Sequence, residues 1–158
     1  MKALGALGEP AKEHAGAIAA RLKKKRWNVR VSAVEALEAL GVHAKEHVGA
    51  IVALLEDKVR HVRNAAVRAL GALGEHAKEH AGAIAALLEH EDEDVRQAAV
   101  EALGALGEHA KEHAGAIAAR LEDEDEEVRR ATVKALGALG EHAKEHAGAT
   151  AAQRPGAG

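Results

Sequence analysis

The residues of this 158-residue chain best equipped for chemistry are its 11 histidines. Four HAKEH segments place His43/His47, His76/His80, His109/His113 and His142/His146 at i, i+4. On an α-helix that spacing sets both imidazoles on one face, where they can chelate a divalent transition metal. The segments are not HExxH, because Glu46, Glu79, Glu112 and Glu145 stand directly before the second histidine, misplaced for a zinc protease. Neighbouring pairs are expected roughly 8–10 Å apart, the usual interhelix distance, so one ion cannot bridge two pairs without distortion. Two ligands fall short of a closed site. The expectation is no dedicated metal site and no cofactor, with His76, His80, His109 and His113 as candidate ligands for weak binding. In the plainer reading the first histidine of each pair opens a helix and the second packs over the next turn.

Other catalytic constellations are missing. Ser32 is the only serine, Thr132 and Thr150 are the only threonines, and there is no cysteine, so neither a disulfide framework nor a thiolate metal site is available. None of the three hydroxyls has a base beside it in a nucleophile elbow. No glycine cluster follows a strand. The glycines read instead as helix ends (Gly74, Gly107) and as close helix contacts (Gly82, Gly115). The chain is expected not to be an enzyme.

Charge is distributed unevenly. The formal net charge is -3, yet residues 1–60 carry 11 Lys+Arg against 7 Asp+Glu and residues 61–158 carry 11 against 18. The run Lys23-Lys24-Lys25-Arg26-Trp27 could serve an acidic partner, with Trp27 as a stacking platform, or be an exposed loop. Its counterpart three repeats on is Glu122-Asp123-Glu124-Asp125-Glu126-Glu127. Together the two runs point to salt-sensitive attraction between molecules, head to tail, beside the alternative of two solvated loops. Neither nucleic acid nor membrane is an expected partner: the charge balance is acidic, and no apolar run nears the roughly 20 residues of a membrane helix. With no signal peptide visible, a cytoplasmic location is the default.

The elements that must position these residues are set by an internal repeat. The phrase ALGALGE, or a variant, begins at Ala3, Ala36, Ala69, Ala102 and Ala135, giving a period of 33 residues without insertions. Within one period, Val95, Ala99, Ala102, Leu103 and Leu106 form one face of a helix, while Gln97, Glu101 and Gly104 are expected to face away. Asp92 reads as its N-cap and Gly107 as its terminating glycine. A second helix should come after about two residues, antiparallel to the first, with Ala110, Ala114, Ile117, Ala118 and Leu121 inward. Pro10 replaces the histidine of the other repeats and marks the second-helix start, so these helices are expected near residues 10, 43, 76, 109 and 142.

Helix pairs are thus expected at about 26–56, 59–89, 92–122 and 125–153. The whole chain, 1–158, reads as one domain: an incomplete first repeat (1–25), full repeats at 26–58, 59–91 and 92–124, and a C-terminal capping repeat and tail (125–158). The junctions at Arg26-Trp27-Asn28 and Lys58-Val59-Arg60-His61 lack the acidic cap of Asp92 and Asp125 and should be the less stable ones. Thr150 and Arg154 replace apolar residues, as a polar cap would. Leu4 and Leu7 sit on half a helix with no such protection.

Val29-Arg30, Val62-Arg63, Val95-Arg96 and Val128-Arg129, each followed by the Ala and Leu positions and a terminal Gly, resemble HEAT repeats. They are similar in particular to the short kind found in phycobilin lyases and in artificial alpha-helical repeat scaffolds. The 33-residue period is shared with ankyrin repeats, whose TPLH-type turn is absent. The resemblance implies an all-α fold, a right-handed alpha-alpha superhelix of about four and a half helix pairs. It carries over scaffold residues and no lyase motif. On such a scaffold, binding positions are those that differ between repeats: Val31/Asn64/Gln97/Arg130, Glu35/Arg68/Glu101/Lys134, and on the second helix Arg21, Leu54, Leu87, Arg120 and Gln153. Two readings remain open. One is a protein-interaction scaffold using the second-helix, concave side, with Arg21, Leu54, Leu87 and Arg120 as contact residues and an unknown protein partner. The other is a duplicated or consensus-style structural array that self-associates through its N-terminal half-repeat, with Leu4, Leu7 and Trp27 at the contact.

Overall fold

The computed structural model describes residues 9–140, and every element among them is helical. The chain divides into two compact units, Met1–His80 and Ala81–Gly158. The first contains α1 (Glu9–Ala19), α2 (Trp27–Leu40), α3 (Val48–Ala53) and α4 (Arg60–Leu73). The second contains α5 (Ala81–Ala86), α6 (Glu93–Leu106), α7 (Ala114–Ala118) and α8 (Glu126–Ala138). Short 3₁₀ segments join them.

In each unit the long helices pack on one another, α2 on α4 and α6 on α8, and bury an aliphatic core. Val34, Leu37, Ile51, Leu55 and Leu70 are fully buried in the first unit; Leu88, Val100, Leu103 and Ile117 occupy the same role in the second. The expected inward face of α6, from Val95 to Leu106, is buried throughout. Its caps also form as expected. The Asp92 side chain accepts from the Asp94 amide at 2.8 Å, and Gly107 takes up φ 57°, a conformation costly for any residue with a Cβ.

The second helix departs from expectation. It begins directly at the glycine as a 3₁₀ stretch, Gly41–His47, Gly74–His80 and Gly107–His113, and only then becomes α-helical for five or six residues. No side-chain cap is available where these stretches start, at Leu40 or Leu106. The i→i+3 bonds of a 3₁₀ turn satisfy amides that would otherwise be orphaned there. In the first repeat, where Pro10 presets the backbone, α1 instead runs unbroken for 11 residues.

Gly104 is a second correction. It does not face away; it is buried where α6 and α8 come closest. A Cβ on Gly104 would lie 2.9 Å from the Ala135 Cβ and 3.0 Å from its Cα, so only glycine admits this approach. Gly82, in contrast, has nothing within 4 Å of its missing Cβ, and Gly115 is exposed, so neither is the close contact foreseen for it. Leu4, Leu7, Thr150, Gln153, Arg154 and the histidine pair His142/His146 lie outside the described residues.

Candidate functional site

The most constructed part of each unit is the loop that introduces a long helix, and an arginine in the second turn of that helix builds it. In the second unit Arg96 turns one edge of its guanidinium back to the preceding loop, donating from Nη1 to the carbonyls of His90 (2.8 Å) and Glu91 (3.1 Å). The other edge donates to Asp123, Nε to Oδ2 at 2.9 Å and Nη2 to Oδ1 at 3.1 Å. Asp123 then accepts from the Asp125 amide at 2.9 Å, which fixes the loop ahead of α8. Both side chains are nearly dry, 8% and 2% exposed.

The first unit repeats the arrangement. Arg30 donates to the carbonyls of Lys24 and Lys25 and clasps Asp57 at 2.9 and 3.1 Å, while Asp57 accepts from the Val59 amide. Arg63 and Arg129 make the same backward reach, to Asp57/Lys58 and Asp123/Glu124. The junction at Lys58–His61 therefore has no side-chain cap at Val59, as expected, yet it is braced by Asp57. These arginines carry the Val-Arg resemblance, but their task was not visible in that motif. A sharper signal was present: an aspartate stands 27 residues after two of them.

Electrostatics agree with the geometry. Burial alone would push the Asp123 carboxyl up; hydrogen bonds from Arg96 and the Asp125 amide, with the charges of Arg96 and Arg120, outweigh it and hold the group below its ordinary range. The Asp123 hydrogen bond correspondingly raises the Arg96 guanidinium against its own desolvation.

The three described histidine pairs lie in 3₁₀ stretches, not on the α-helix that a chelating i, i+4 spacing assumes. A 3₁₀ stretch turns about 120° per residue, so i and i+4 stand roughly 120° apart around the axis instead of the about 40° of an α-helix. His76 is exposed, while His80, His109 and His113 are half-buried. Among the described residues no three His, Asp or Glu side chains come together in a way that could hold a metal ion. His80 has another neighbour: its Cε1 lies 3.5 Å from where a Cβ of Gly49 would be. The second imidazole of that pair thus rests on the glycine of the repeat before it.

Trp27 is 45% exposed and stacks on His61, ring centroids 5.1 Å apart and 22° from parallel. The basic run beside it is held at its backbone by Arg30, with its four cationic side chains exposed. The acidic run is only partly solvated. Asp123 is clasped, Asp125 caps α8 by accepting from Val128 at 3.1 Å, and Glu126 pairs with Arg130 at 2.9 Å.

Of the candidate contact residues, Arg21 is exposed and Leu54 and Leu87 are half-buried, although the adjoining Leu55 and Leu88 are buried. Arg120 is partly engaged. Its Nη1 reaches the Leu88 carbonyl at 3.3 Å and Asp123 at 3.4 Å, and its buried Nε has no protein acceptor. No described helix is long and apolar enough to cross a membrane.

Comparison with known proteins agrees with this construction. No curated protein matches the sequence. Among solved structures, the chain is similar to the crystal structure of an engineered protein, with a TM-score of 0.51 at 20% identity over 87% of this chain. It spans 66% of that protein's length, and the likeness bears on the fold alone. The profile of HEAT repeats matches twice in succession, over residues 15–82 and 81–147. With the profile covering most of a chain whose described residues are all in helices and their connecting turns, the chain belongs to the HEAT repeat family.

Proposed function

We propose that the chain is a non-enzymatic scaffold that binds another protein through the second-helix positions that differ between repeats. One observation carries this reading. Leu54 and Leu87 keep part of their surface open at equivalent positions, in stretches where almost every other exposed residue is alanine, glycine or charged. Each unit supplies one of these leucines and one arginine, Arg21 with Leu54 and Leu87 with Arg120. An apolar contact and a basic one in each unit suit a partner segment that combines an apolar anchor with a carboxylate.

A displayed library of acidic, apolar peptides panned on the full chain tests it. Binders should lose at least tenfold in affinity on Leu54→Glu/Leu87→Glu, with the helical circular dichroism unchanged. A library that yields no binder, or binders indifferent to the double substitution, overturns the reading.

A further inference from the structure

The loops that introduce α2 and α4 lie side by side in the first unit. One guanidinium touches both: Arg30 holds the Lys24 and Lys25 carbonyls with Nη1 and clasps Asp57 with its other edge. The stack of Trp27 on His61, ring centroids 5.1 Å apart, joins the loops a second time, and Arg63 fixes the second loop through the Asp57 and Lys58 carbonyls. Flanking the two stacked residues in sequence, Lys23, Lys25, Lys58 and Arg60 are all exposed.

The fold does not call for these cations. At the same places in the repeat the second unit carries only glutamate: Glu89 and Glu122 for Lys23, Glu91 and Glu124 for Lys25 and Lys58, Glu93 and Glu126 for Arg60. There α6 and α8 have an aspartate cap and acids in the first turn, whereas α2 and α4 have neither. The helix dipole favours acids at this end, so the cations of the first unit work against its own helices. Their exposure belongs to the place in the repeat, because the positions of all four cations, of Trp27 and of His61 are exposed in every described repeat. Arg21 and Lys24 differ: their places are half-buried or buried in the later repeats, and they form no part of this edge.

We infer that this edge binds a short single strand of nucleic acid, with phosphates on Lys23, Lys25, Lys58 and Arg60 and a base stacked on Trp27. Trp27 is 45% exposed, and His61 steadies the indole from one side. Stacking on an aromatic ring accepts any base, and exposed cations accept any phosphate, so the binding is indifferent to sequence. An acidic peptide would satisfy the cations but brings no π face to the indole. Glu56 is the one exposed acid in the two loops, and Asp57 is neutralised by Arg30. The acidic balance that speaks against nucleic acid for the whole chain belongs to residues 61–158, with 18 Asp+Glu against 11 Lys+Arg. The inference rests on residues other than those of the second-helix reading above.

Trp27 is the only tryptophan, so its fluorescence reports on this edge alone. Titrating the full chain with a short single strand of thymidylate should quench that fluorescence. The logarithm of the binding constant should fall with the logarithm of salt concentration at a slope of about −3, as expected for about four phosphates of a single strand. Lys25→Glu/Lys58→Glu installs the residue that the second unit carries at that place, so it should leave the helical circular dichroism unchanged while weakening binding about tenfold or more. An abasic strand of the same length should bind more weakly and leave the fluorescence unquenched. The proposal is overturned if thymidylate does not bind, or if the double substitution has no effect. Equal binding of the abasic strand would also overturn it, by reducing the edge to a patch of charge. So would equal binding of a polyglutamate peptide, the mark of an acidic protein partner.

Discussion

Arg96 and Asp123, 27 residues apart in the chain, meet in a two-point clasp of 2.9 and 3.1 Å that is almost wholly removed from water. Breaking a buried pair by removing one partner typically costs about 3–5 kcal/mol, because the remaining charge is left unpaired. Asp123→Asn should therefore lower the unfolding free energy by about that amount in a chemical denaturation series. Arg130→Ala, which breaks a pair with Glu126 between side chains 67% and 63% exposed, should change it by less than about 0.5 kcal/mol.

The same aspartate makes stability depend on pH in a defined direction. Its folded-state pKa lies below the ordinary carboxylate value of about 3.9, so below that value the unfolded chain binds the proton more readily. The stabilisation is complete above pH ~4 and is lost as pH falls through the folded value. Arg96, raised from an already high value, stays charged throughout. Acid titration followed by circular dichroism should show a shallower loss of stability below pH ~4 in Asp123→Asn than in the wild type. Parallel curves would show that other carboxylates dominate acid unfolding.

Two glycines inside helices should answer alanine with opposite signs. At Gly104 a Cβ would meet Ala135 at 2.9 Å, and overpacking of this kind costs about 1–3 kcal/mol. At Gly82 nothing stands within 4 Å, so alanine gains the helix propensity that glycine lacks, about 0.5–1 kcal/mol. Thermal unfolding of Gly104→Ala and Gly82→Ala should shift to lower and higher midpoints respectively.

Leu103 is fully buried, and its replacement by alanine should cost about 2–5 kcal/mol. Gln97, half-exposed on the same helix, should be nearly silent when changed to alanine. Equal losses for the two in denaturant titrations would mean that the faces of α6 are assigned wrongly.

Much of this architecture was legible from period and chemistry. The alternation of apolar residues from Val95 to Leu106, the carboxylate of Asp92 and the glycine at 107 each act within one helix, and local rules suffice for them. The second helix was misjudged because its 3₁₀ opening is set by the backbone path leaving a glycine of positive φ, which has no side-chain signature. That error carried into the histidines, whose common face existed only on an α-helix. Gly104 was misplaced for a different reason: a missing side chain gives no apolar signal, and its meaning appears only when Ala135 arrives from the next helix. The arginine clasps were half legible, as a recurring Val-Arg pair whose acceptors lie too far along the chain for local reading.

Because Arg30 and Arg96 each bind the loop behind them and the aspartate ahead, a complete set of their bonds spans from one loop to the next. The 33-residue blocks are consequently not interchangeable beads. Residues 24, 57, 90 and 123 occupy the same place in successive blocks yet are Lys, Asp, His and Asp. Cutting and reordering the blocks would hand some arginines a cation where they now hold an acid. The order of the repeats is thereby written into the chain, and a shuffled version with identical composition and identical helices would be a less stable protein.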